Sequence, residues 1–327
     1  MDRWRRLTRP LLDWYSRNAR VLPWREDPTP YHVWISEIML QQTRVSAAIP
    51  YYERFLRELP TVADLACCDD EKLMKLWEGL GYYSRVRNLK KAAQKIMKDF
   101  DGQFPSDYPS IRSLPGIGDY TAGAISSIAF GLPEPAVDGN VLRVASRIMG
   151  DSSDITAEET KRACRNLVCS GMPEGKTSEY TQALMELGAT VCLPNGAPLC
   201  DQCPASCLCV AKEKGLIDVL PVKTPSKPRK IERRTVYFLF YNGKVALRRR
   251  PRKGLLSGLW EYPNEPAEKT GILESWGIVP ASQRWGGTGK HIFTHIEWHM
   301  TARMVQAETE ELPDGWVWAD GPVLRQI

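Results

Sequence analysis

Four cysteines stand close together in the second half of the chain, at Cys192, Cys200, Cys203 and Cys209. Thiolates are soft ligands, and four of them can enclose a metal centre. The intervals between them are seven, two and five residues, which favours a loop around an iron–sulfur cluster over a single tetrahedral zinc ion. Cys207, inside the last interval, is an alternative ligand. A disulfide framework is the competing interpretation, although the chain has an odd number of cysteines, nine.

A second candidate site is a pair of glycines, Gly116 and Gly118, separated by one apolar residue. Glycine permits a positive φ and lets backbone amides approach a ligand closely. A helical run follows at residues 120–128, and a helix N-terminus attracts anions. Ile111 and Leu114 precede the glycines at helical spacing. The segment therefore predicts a helix–hairpin–helix, which binds the DNA backbone without reading its sequence. A plain turn is the alternative.

The positions of two carboxylates could be explained by structural roles, without any catalytic role. Glu37 lies off the apolar stripe of its predicted helix, so the periodicity predicts a surface residue. Asp138 directly precedes Gly139 and a helical run, which predicts a helix N-cap. The residue pattern by itself assigns neither of them a catalytic role.

The elements that must position these residues fall into two regions. Up to about residue 214, apolar residues recur at three- and four-residue spacing, which predicts helices. From Thr235 onward the pattern predicts strands, beginning with a hairpin whose type I′ turn is Asn242-Gly243. Residues 221–234 hold three prolines and six basic residues in fourteen positions, which predicts a linker. Its charge would suit a phosphate backbone, and a solvated tether is an equal alternative.

Composition bounds the class of protein. The 327 residues suffice for two domains, and 43% hydrophobic with 25% charged residues is typical of soluble globular proteins. No apolar run approaches the roughly eighteen residues of a membrane helix. The basic N-terminal residues have no apolar stretch behind them, so we expect no secretory signal. Reduced thiols favour a cytosolic compartment, and the net charge of +5 mildly favours a polyanionic partner.

Several motifs in a shared order resemble those of the adenine DNA glycosylases, which are helix–hairpin–helix enzymes with a [4Fe–4S] cluster. The resemblance covers nearly the whole chain, so chance agreement is excluded as an explanation. The motifs are LPWR at 22–25, WISEIMLQQT at 34–43, GLGYY at 79–83, LPGIGDYTA at 114–122, VDGNV at 137–141, QALMELG at 182–188, the cysteine loop and GLWEYP at 258–263.

The resemblance implies a multidomain fold. An all-α helix–hairpin–helix glycosylase region with a [4Fe–4S] loop precedes a small α+β, Nudix-like domain. The implied boundaries are 1–214 for the catalytic region (helix–hairpin–helix subdomain about 27–132, iron–sulfur subdomain about 1–26 and 133–214), 215–234 for the basic linker and 235–327 for the Nudix-like domain.

The resemblance also implies catalytic roles. Glu37 would be the acid that protonates adenine, at N7, because adenine is a poor leaving group as an anion. Asp138 would stabilise the positively charged sugar, with a nucleophilic role or activation of water as alternatives, and Asn140 would hold Asp138 or a water. Tyr120 stands where the strand-cleaving, endonuclease III-like relatives carry a lysine. Since tyrosine cannot form an imine, the resemblance implies a monofunctional enzyme.

An enzyme that excises a base from duplex DNA must first extrude it. By resemblance, Gln42 and Tyr82 would fill the space beside the orphaned partner base. The cluster ligands would be the four cysteines above, although the family's usual first interval has six residues rather than the seven found here. The implied DNA and substrate contacts in the catalytic region are Trp24, Arg25, Gln42, Thr43, Leu80, Tyr82, Gly116, Gly118 and Gln182.

The Nudix-like region implies a reader of DNA lesions. No glutamate-rich Nudix box follows Gly258, and pyrophosphate hydrolysis needs those carboxylates for Mg²⁺, so we expect no catalysis there. The family recognises 8-oxoguanine with a Phe-Ser-His loop, which here reads Phe293, Thr294 and His295. The expected partner is duplex DNA with adenine opposite 8-oxoguanine or guanine. We expect a monomer in a bacterial cytosol, with no membrane partner. A glycosylase for another base and a silent DNA-binding protein are the alternatives.

Overall fold

The chain forms two compact units, residues 1–224 and residues 225–327. The first is helical and the second combines a sheet with short helices, which confirms the predicted fold class. None of the helices described is long and apolar enough to cross a membrane. Positions 226 and 227 of the predicted linker lie outside the described residues. The computed structural model describes residues 2–225, 228–251 and 253–326.

The first unit is built from helices with well-defined ends. Thr29 and Asp69 accept hydrogen bonds from free amides at the first turns of α3 and α6, and Gly131 and Gly150 end α9 and α10 in the left-handed conformation. The helices are α1 Asp2–Asn18, α2 Pro23–Glu26, α3 Pro30–Leu40, α4 Val45–Glu58, α5 Val62–Cys67, α6 Asp70–Leu76, α7 Ser84–Asp99, α8 Tyr108–Arg112, α9 Asp119–Phe130, α10 Gly139–Met149, α11 Glu158–Ser170, α12 Thr177–Thr190 and α13 Val210–Glu213.

Two hydrophobic cores lie within this unit. One takes its buried residues from 22–125 and contains Trp34. The other takes them from 4–15 and 141–205 and contains Trp4, whose Nε1 donates to the Tyr180 hydroxyl at 2.9 Å. Helix α9 packs against α3 and α12, and α12 also packs against α10. The helices that carry or begin beside the candidate catalytic residues are therefore neighbours in space.

Part of the predicted linker belongs to the first unit. Leu220 is buried, and its carbonyl accepts from Arg147 Nε at 2.9 Å. The amide of Ile155 donates to the carbonyl of Val222 at 3.0 Å. The first part of the segment 215–234 that was predicted to be a linker therefore contacts the helical unit, because backbone carbonyls of a proline-rich segment still find donors there.

The second unit is a mixed sheet of order β3-β2-β1-β6-β5, with β4 paired to β1 and β7 to β2. Asn242 and Gly243 both have positive φ, 46° and 76°, between paired Tyr241 and Lys244, so the predicted type I′ hairpin is confirmed. The strands are β1 Lys230–Tyr241, β2 Lys244–Arg249, β3 Trp260–Glu261, β4 Asn264–Pro266, β5 Pro280–Ile292, β6 Ile296–Ala307 and β7 Trp316–Ala319, with helices α14 Ile272–Ser275 and α15 Gly321–Gln326.

Strand β1 begins at Lys230, inside the segment 215–234 that was predicted to be a linker. Its first residues are basic, which hid the strand from the sequence pattern. They pair in parallel with β6, starting with Lys230 opposite Ile296. Backbone pairing therefore extends the strand past its apolar part.

Candidate active site and cysteine loop

Glu37 lies in the middle of α3 and is buried, with 7% of its surface exposed. The surface position predicted from periodicity is wrong, because residues 33–39 of α3 are buried on every side. The Tyr120 hydroxyl donates to Glu37 Oε2 at 2.7 Å. Burial, reinforced by the charge of Asp138, raises the pKa of Glu37 to about 7, while the Tyr120 hydrogen bond and the charge of Arg25 act in the opposite direction.

Tyr120 comes from the first turn of α9, directly after the glycine hairpin. Its hydroxyl also contacts the sulfur of Met185 at 3.9 Å. Burial and the neighbouring charges of Glu37 and Asp138 raise the pKa of Tyr120 well above its ordinary value. Tyr120 therefore remains a neutral donor to the Glu37 carboxyl.

Asp138 is the N-cap of α10, as the sequence predicted. Its Oδ1 accepts from the amide of Val141 at 2.8 Å, and its Oδ2 accepts from Asn140 Nδ2 at 2.7 Å. Asn140 in turn accepts from Arg143 Nη2 at 2.9 Å, and Arg143 Nε donates to the carbonyl of Cys192 at 2.9 Å. Both oxygens of the carboxylate are thus oriented by α10, and α10 is tied to the start of the cysteine loop.

Helix α12 closes the same region. A Cβ on Gly188 would lie 2.6 Å from Asn140 Cβ, so glycine permits the close approach of α12 to α10. Gln182, half-buried, accepts from the Tyr15 hydroxyl at 3.3 Å and donates to Ser178 at 3.2 Å. Its amide therefore has partners within the protein in this conformation.

Trp24, Arg25 and Leu80, which were predicted to contact DNA, also have partners within the protein. Trp24 is buried and packs edge-on against Tyr52, with ring centroids 5.3 Å apart. Arg25 Nη2 donates to Glu186 Oε2 at 2.7 Å. The Leu80 side chain is buried in the first core. Its carbonyl accepts from Arg85 Nη2 at 2.9 Å, so both its side chain and its carbonyl contact the protein in this conformation.

Two exposed residues have left-handed backbones. Gln42, in the loop after α3, has φ 56°, and Tyr82, in the loop before α7, has φ 46°. Tyr82 leaves 46% of its surface exposed. Thr43 Oγ1 donates to the carbonyl of Gln41 at 3.4 Å. Non-glycine residues with positive φ are uncommon, and surrounding contacts must hold them.

The glycine hairpin has a positive φ at Gly116 but not at Gly118. Gly116 has φ 79°, and a Cβ there would lie 2.6 Å from Asn88 Cβ. Gly118 is the N-cap of α9 with extended backbone. Arg112 Nη1 donates to the carbonyl of Ile117 at 2.8 Å, which ties α8 to the hairpin. Arg112 Nε also donates to Asp119 Oδ1 at 2.5 Å, so α8 contacts the first turn of α9 as well.

The four predicted ligand cysteines line one cavity, together with Arg147. Arg147 Nη1 donates to Cys192 Sγ at 3.4 Å, whereas Cys207 is exposed and does not line the cavity. In the parts of the chain described, no group of three or more His, Cys, Asp or Glu side chains is arranged to hold a metal ion. The loop between Cys192 and Cys200 is closed at its base by a hydrogen bond from the Leu199 amide to the Val191 carbonyl, at 2.9 Å.

In the second unit, residues 293–295 join β5 to β6. The Phe293 amide donates to the Ile296 carbonyl at 2.8 Å, and its half-buried ring lies 5.1 Å from that of Trp298. Thr294 and His295 are exposed at the tip. The Phe293 ring also lies 4.4 Å from that of His291, so two aromatic contacts hold the loop that carries Thr294 and His295.

Comparison with known proteins places the chain in a family. Residues 35–169 match the HhH-GPD superfamily base excision DNA repair protein model, and residues 235–324 match the NUDIX domain model. Human adenine DNA glycosylase is 35% identical over 88% of this chain and 64% of the human protein. For the rat enzyme the values are 35%, 88% and 68%. The chain belongs to the adenine DNA glycosylase family. The resemblance that the motifs predicted is confirmed.

The chain spans about two thirds of the length of these mammalian adenine DNA glycosylases, 64% to 68%. A solved structure of a thermostable thymine-DNA glycosylase is 27% identical, with a TM-score of 0.59, over 65% of this chain and 98% of that one. Its fold resembles the helical part of this member of the adenine DNA glycosylase family.

Reasoning from the sequence of this adenine DNA glycosylase family member did not single out Glu186. It lies on α12 with 1% of its surface exposed, and it accepts from Arg20 Nε at 2.5 Å and from Arg25 Nη2 at 2.7 Å. Burial acts to raise the pKa of Glu186, but the hydrogen bonds and charges of the two arginines outweigh it and lower that pKa. The available signal was a single charged residue inside the motif QALMELG.

Proposed function

We propose that this protein is a monofunctional DNA glycosylase that removes adenine opposite 8-oxoguanine or guanine in duplex DNA. The observation that carries the proposal is the buried Glu37 carboxyl, with its pKa near 7 and its hydrogen bond from Tyr120. A general acid is most effective when its pKa lies near the working pH. Membership of the adenine DNA glycosylase family supports adenine as the base.

The chemistry divides between two carboxyl groups. Protonated Glu37 gives its proton to N7 of the extruded adenine, and the bond from N9 to C1′ breaks with its electron pair on the base, which leaves neutral. The sugar is left as an oxocarbenium ion, which the Asp138 carboxylate stabilises electrostatically. Water then adds at C1′ and loses a proton. Because the Val141 amide and Asn140 hold both Asp138 oxygens, the negative charge is in place before the bond breaks.

The same site supports base removal without strand cleavage. Cleavage through an imine needs an amine at C1′, and Tyr120 offers a hydroxyl, already donated to Glu37. We expect an intact abasic strand as the product, cut only after alkali is added. Strand cleavage by the pure enzyme without alkali would mean that an amine elsewhere in the site forms the imine.

Binding to DNA would rest on the backbone phosphates. Gly116 brings the hairpin amides to the surface ahead of the α9 N-terminus, and such amides bind phosphate. Contacts of this kind release counterions, so the affinity for any duplex should fall steeply with salt. Affinity that is flat between low and high salt would argue against this mode of binding.

A [4Fe–4S] cluster is proposed for the cysteine cavity. Four thiols line it, and the Arg147 guanidinium donates to the sulfur of Cys192, which would offset the negative charge of a thiolate-bound cluster. The cluster would hold the 192–209 loop in shape. The matched variants are Cys209→Ser and Cys207→Ser: the first should lose iron and brown colour, and the second should keep both. Equal iron in both, or one zinc per chain, would contradict the assignment.

Recognition of 8-oxoguanine is proposed for residues 293–295. Thr294 and His295 project from the β5–β6 loop, and the lesion differs from guanine only at C8 and N7, so one polar contact can discriminate by about 1–3 kcal/mol. Protein truncated before Pro225, where the two compact units divide, should excise adenine with less preference for 8-oxoguanine. Unchanged preference would place lesion recognition in the first unit.

The decisive experiment is a single-turnover assay on duplexes with adenine opposite 8-oxoguanine, guanine or thymine, with alkali to reveal abasic sites. We expect excision from the first two duplexes. Tight binding without excision would indicate a silent DNA-binding protein. Excision of thymine or uracil from control mispairs, with adenine untouched, would indicate a glycosylase for another base.

A further inference from the structure

Two loops of the first unit carry exposed residues in left-handed conformations, Gln42 and Tyr82. They lie far apart in the sequence, yet both adjoin the same buried side chain, Arg85 of α7. Arg85 leaves 8% of its surface exposed. A buried arginine in a helical core must find acceptors for its donors, because an unpaired buried charge is strongly unfavourable.

The Arg85 guanidinium donates to backbone carbonyls on both sides. Nη1 donates to Ile38 at 2.8 Å, Met39 at 3.1 Å and Gln41 at 2.6 Å. Nη2 donates to Leu80 at 2.9 Å and Gly81 at 3.2 Å. Each loop is therefore bonded at the residue that directly precedes its exposed member. No carboxylate shares the guanidinium among the contacts that the structure describes.

The carbonyls that accept from Arg85 Nη1 lie at the C-terminal end of α3. The last carbonyls of a helix have no partner within it, and a cation at that end is favourable. Ile38 and Met39 are two such carbonyls of α3, and Gln41 is its C-cap. Glu37 precedes these carbonyls, and its carboxyl is held by the Tyr120 hydroxyl rather than by Arg85 in the contacts that the structure describes.

Aromatic rings complete the surroundings on the Tyr82 side. The guanidinium carbon lies 5.2 Å from the Trp77 ring centroid and 5.6 Å from that of Tyr82. Trp77 Nε1 donates to the carbonyl of Gly81 at 3.0 Å. The planar, five-donor guanidinium can meet carbonyls in two directions and stack on a ring at once, which an ammonium cannot.

We propose that Arg85 is a positioning residue that holds Gln42 and Tyr82 at a fixed separation, so that together they fill the space left by an extruded base. The inference rests on the proposed function, since it assumes that the substrate is a base inside duplex DNA. A base returns to the stack unless something occupies its place. If the two loops move independently, that occupation is lost while the catalytic carboxyls stay in place.

The test uses Arg85→Lys in the full-length protein, which keeps the positive charge and most of the stem. A duplex with 2-aminopurine at the target position and a 2′-fluorine on its sugar reports extrusion by fluorescence while excision is blocked. We expect the fluorescence of the bound complex to fall, with the dissociation constant within about threefold of the parent, and excision to slow by up to about 10²-fold. Parent-like fluorescence would overturn the proposal.

A matched control is Arg54→Lys. Arg54 also donates to a carbonyl, that of Leu76 at 3.2 Å, and stacks on Tyr51 at 4.8 Å, and among the described contacts it bonds to neither loop. We expect parent-like extrusion and excision. An equal defect in Arg54→Lys would mean that loss of any such arginine disturbs the unit in general, and the assignment to Arg85 would fall.

A double-variant cycle tests whether Arg85 acts through Tyr82. If it does, adding Arg85→Lys to Tyr82→Ala should slow excision by less than about threefold beyond Tyr82→Ala alone, because the two changes remove the same interaction. Effects that multiply would show that Arg85 acts by another route. This readout separates positioning from a general loss of stability, since destabilisation would be seen in either background.

A second variant covers failure of Arg85→Lys to fold. Gly81 has φ 67° and open space around its Cβ position, so Gly81→Ala strains the loop from its own side without touching the guanidinium. The same fall in extrusion is expected, and parent-like extrusion would mean that the loop is not the source of the effect.

Should the parent excise no adenine at all, the proposed function fails. A parent that excises, with variants that extrude normally, defeats only the inference.

Discussion

The regions around Glu37 and Glu186 place two buried carboxyl groups of one unit in opposite electrostatic settings. Glu186 meets two guanidinium groups, and its pKa lies below the ordinary value. Glu37 meets one phenol, and its pKa rises to about 7. Burial is similar at 1% and 7% exposure, so the partner decides whether a buried carboxyl becomes a fixed anion or a proton donor.

The arrangement of the arginines sharpens this contrast. Arg25 donates to Glu186 and also lowers the pKa of Glu37 through its charge. Because Glu186 accepts that donor, Arg25 does not form an ion pair with Glu37 in the described contacts. A guanidinium moved to Glu37 would hold it ionised and remove its proton at neutral pH.

The largest expected effect is on catalysis. Glu37→Gln keeps the shape of the side chain and removes its proton, so single-turnover excision of adenine should fall by about 10² to 10⁴. Binding to the mispaired duplex should remain. The exposed Glu53→Gln is the matched control and should excise like the parent. Excision within tenfold of the parent in Glu37→Gln would remove Glu37 from the role of acid.

The next effect is on stability at Glu186. Glu186→Gln leaves two arginines without their anion, and the free energy of unfolding at pH 7 should fall by about 3 kcal/mol, as measured in urea. Because the folded pKa of Glu186 is lowered, its contribution is present above the unfolded value and is lost as pH falls through the folded one. The difference between variant and parent should therefore shrink in acid. An equal loss at every pH would indicate a packing defect.

The opposite sign is expected at Glu37. Its folded pKa of about 7 lies above the ordinary 4.5, so its protonated form favours the folded state at low pH and that advantage is lost as pH rises through 7. Glu37→Gln stays neutral at every pH. Its free energy of unfolding, measured in urea, should exceed that of the parent by on the order of 1–3 kcal/mol at pH 8 and by less at pH 5. Lower stability than the parent at pH 8 would mean that Glu37 has an unseen cationic partner.

The smallest effect concerns Tyr120. Its hydrogen bond lowers the pKa of Glu37, so Tyr120→Phe should move the loss of excision at high pH upward, by about one unit or less. The measurement is the single-turnover rate between pH 5 and 9. Tyr108→Phe, whose hydroxyl meets Arg165 instead, should leave the profile in place. A downward shift in Tyr120→Phe would mean that the phenol stabilises the protonated carboxyl.

Local features of the chain were well predicted from the sequence, and each has a short-range cause. Asp138 caps α10 because its side chain reaches an amide three residues away. The Asn242-Gly243 turn follows from two positive φ values that these residue types tolerate. The linker predicted at 215–234 left out contacts near both of its ends, since the pairing of β1 with β6 and the contact of Leu220 with Arg147 depend on residues far along the chain.

The sequence by itself determined the family, the division into a helical region and a region of strands, the glycine hairpin and the identity of the side chains that could do chemistry. Only the tertiary structure decided which of those side chains are buried and which partners they have. The periodicity of α3 predicts a surface position for Glu37, whereas in the fold Glu37 is buried beside α9, which brings a phenol rather than a cation to its carboxyl. Hydrophobic periodicity assigned no role to Glu186 or Arg85, although Glu186 is the single charged residue of the motif QALMELG. Glu186 and one side of the Arg85 guanidinium depend on partners more than 40 residues away, in contacts that hydrophobic periodicity does not encode.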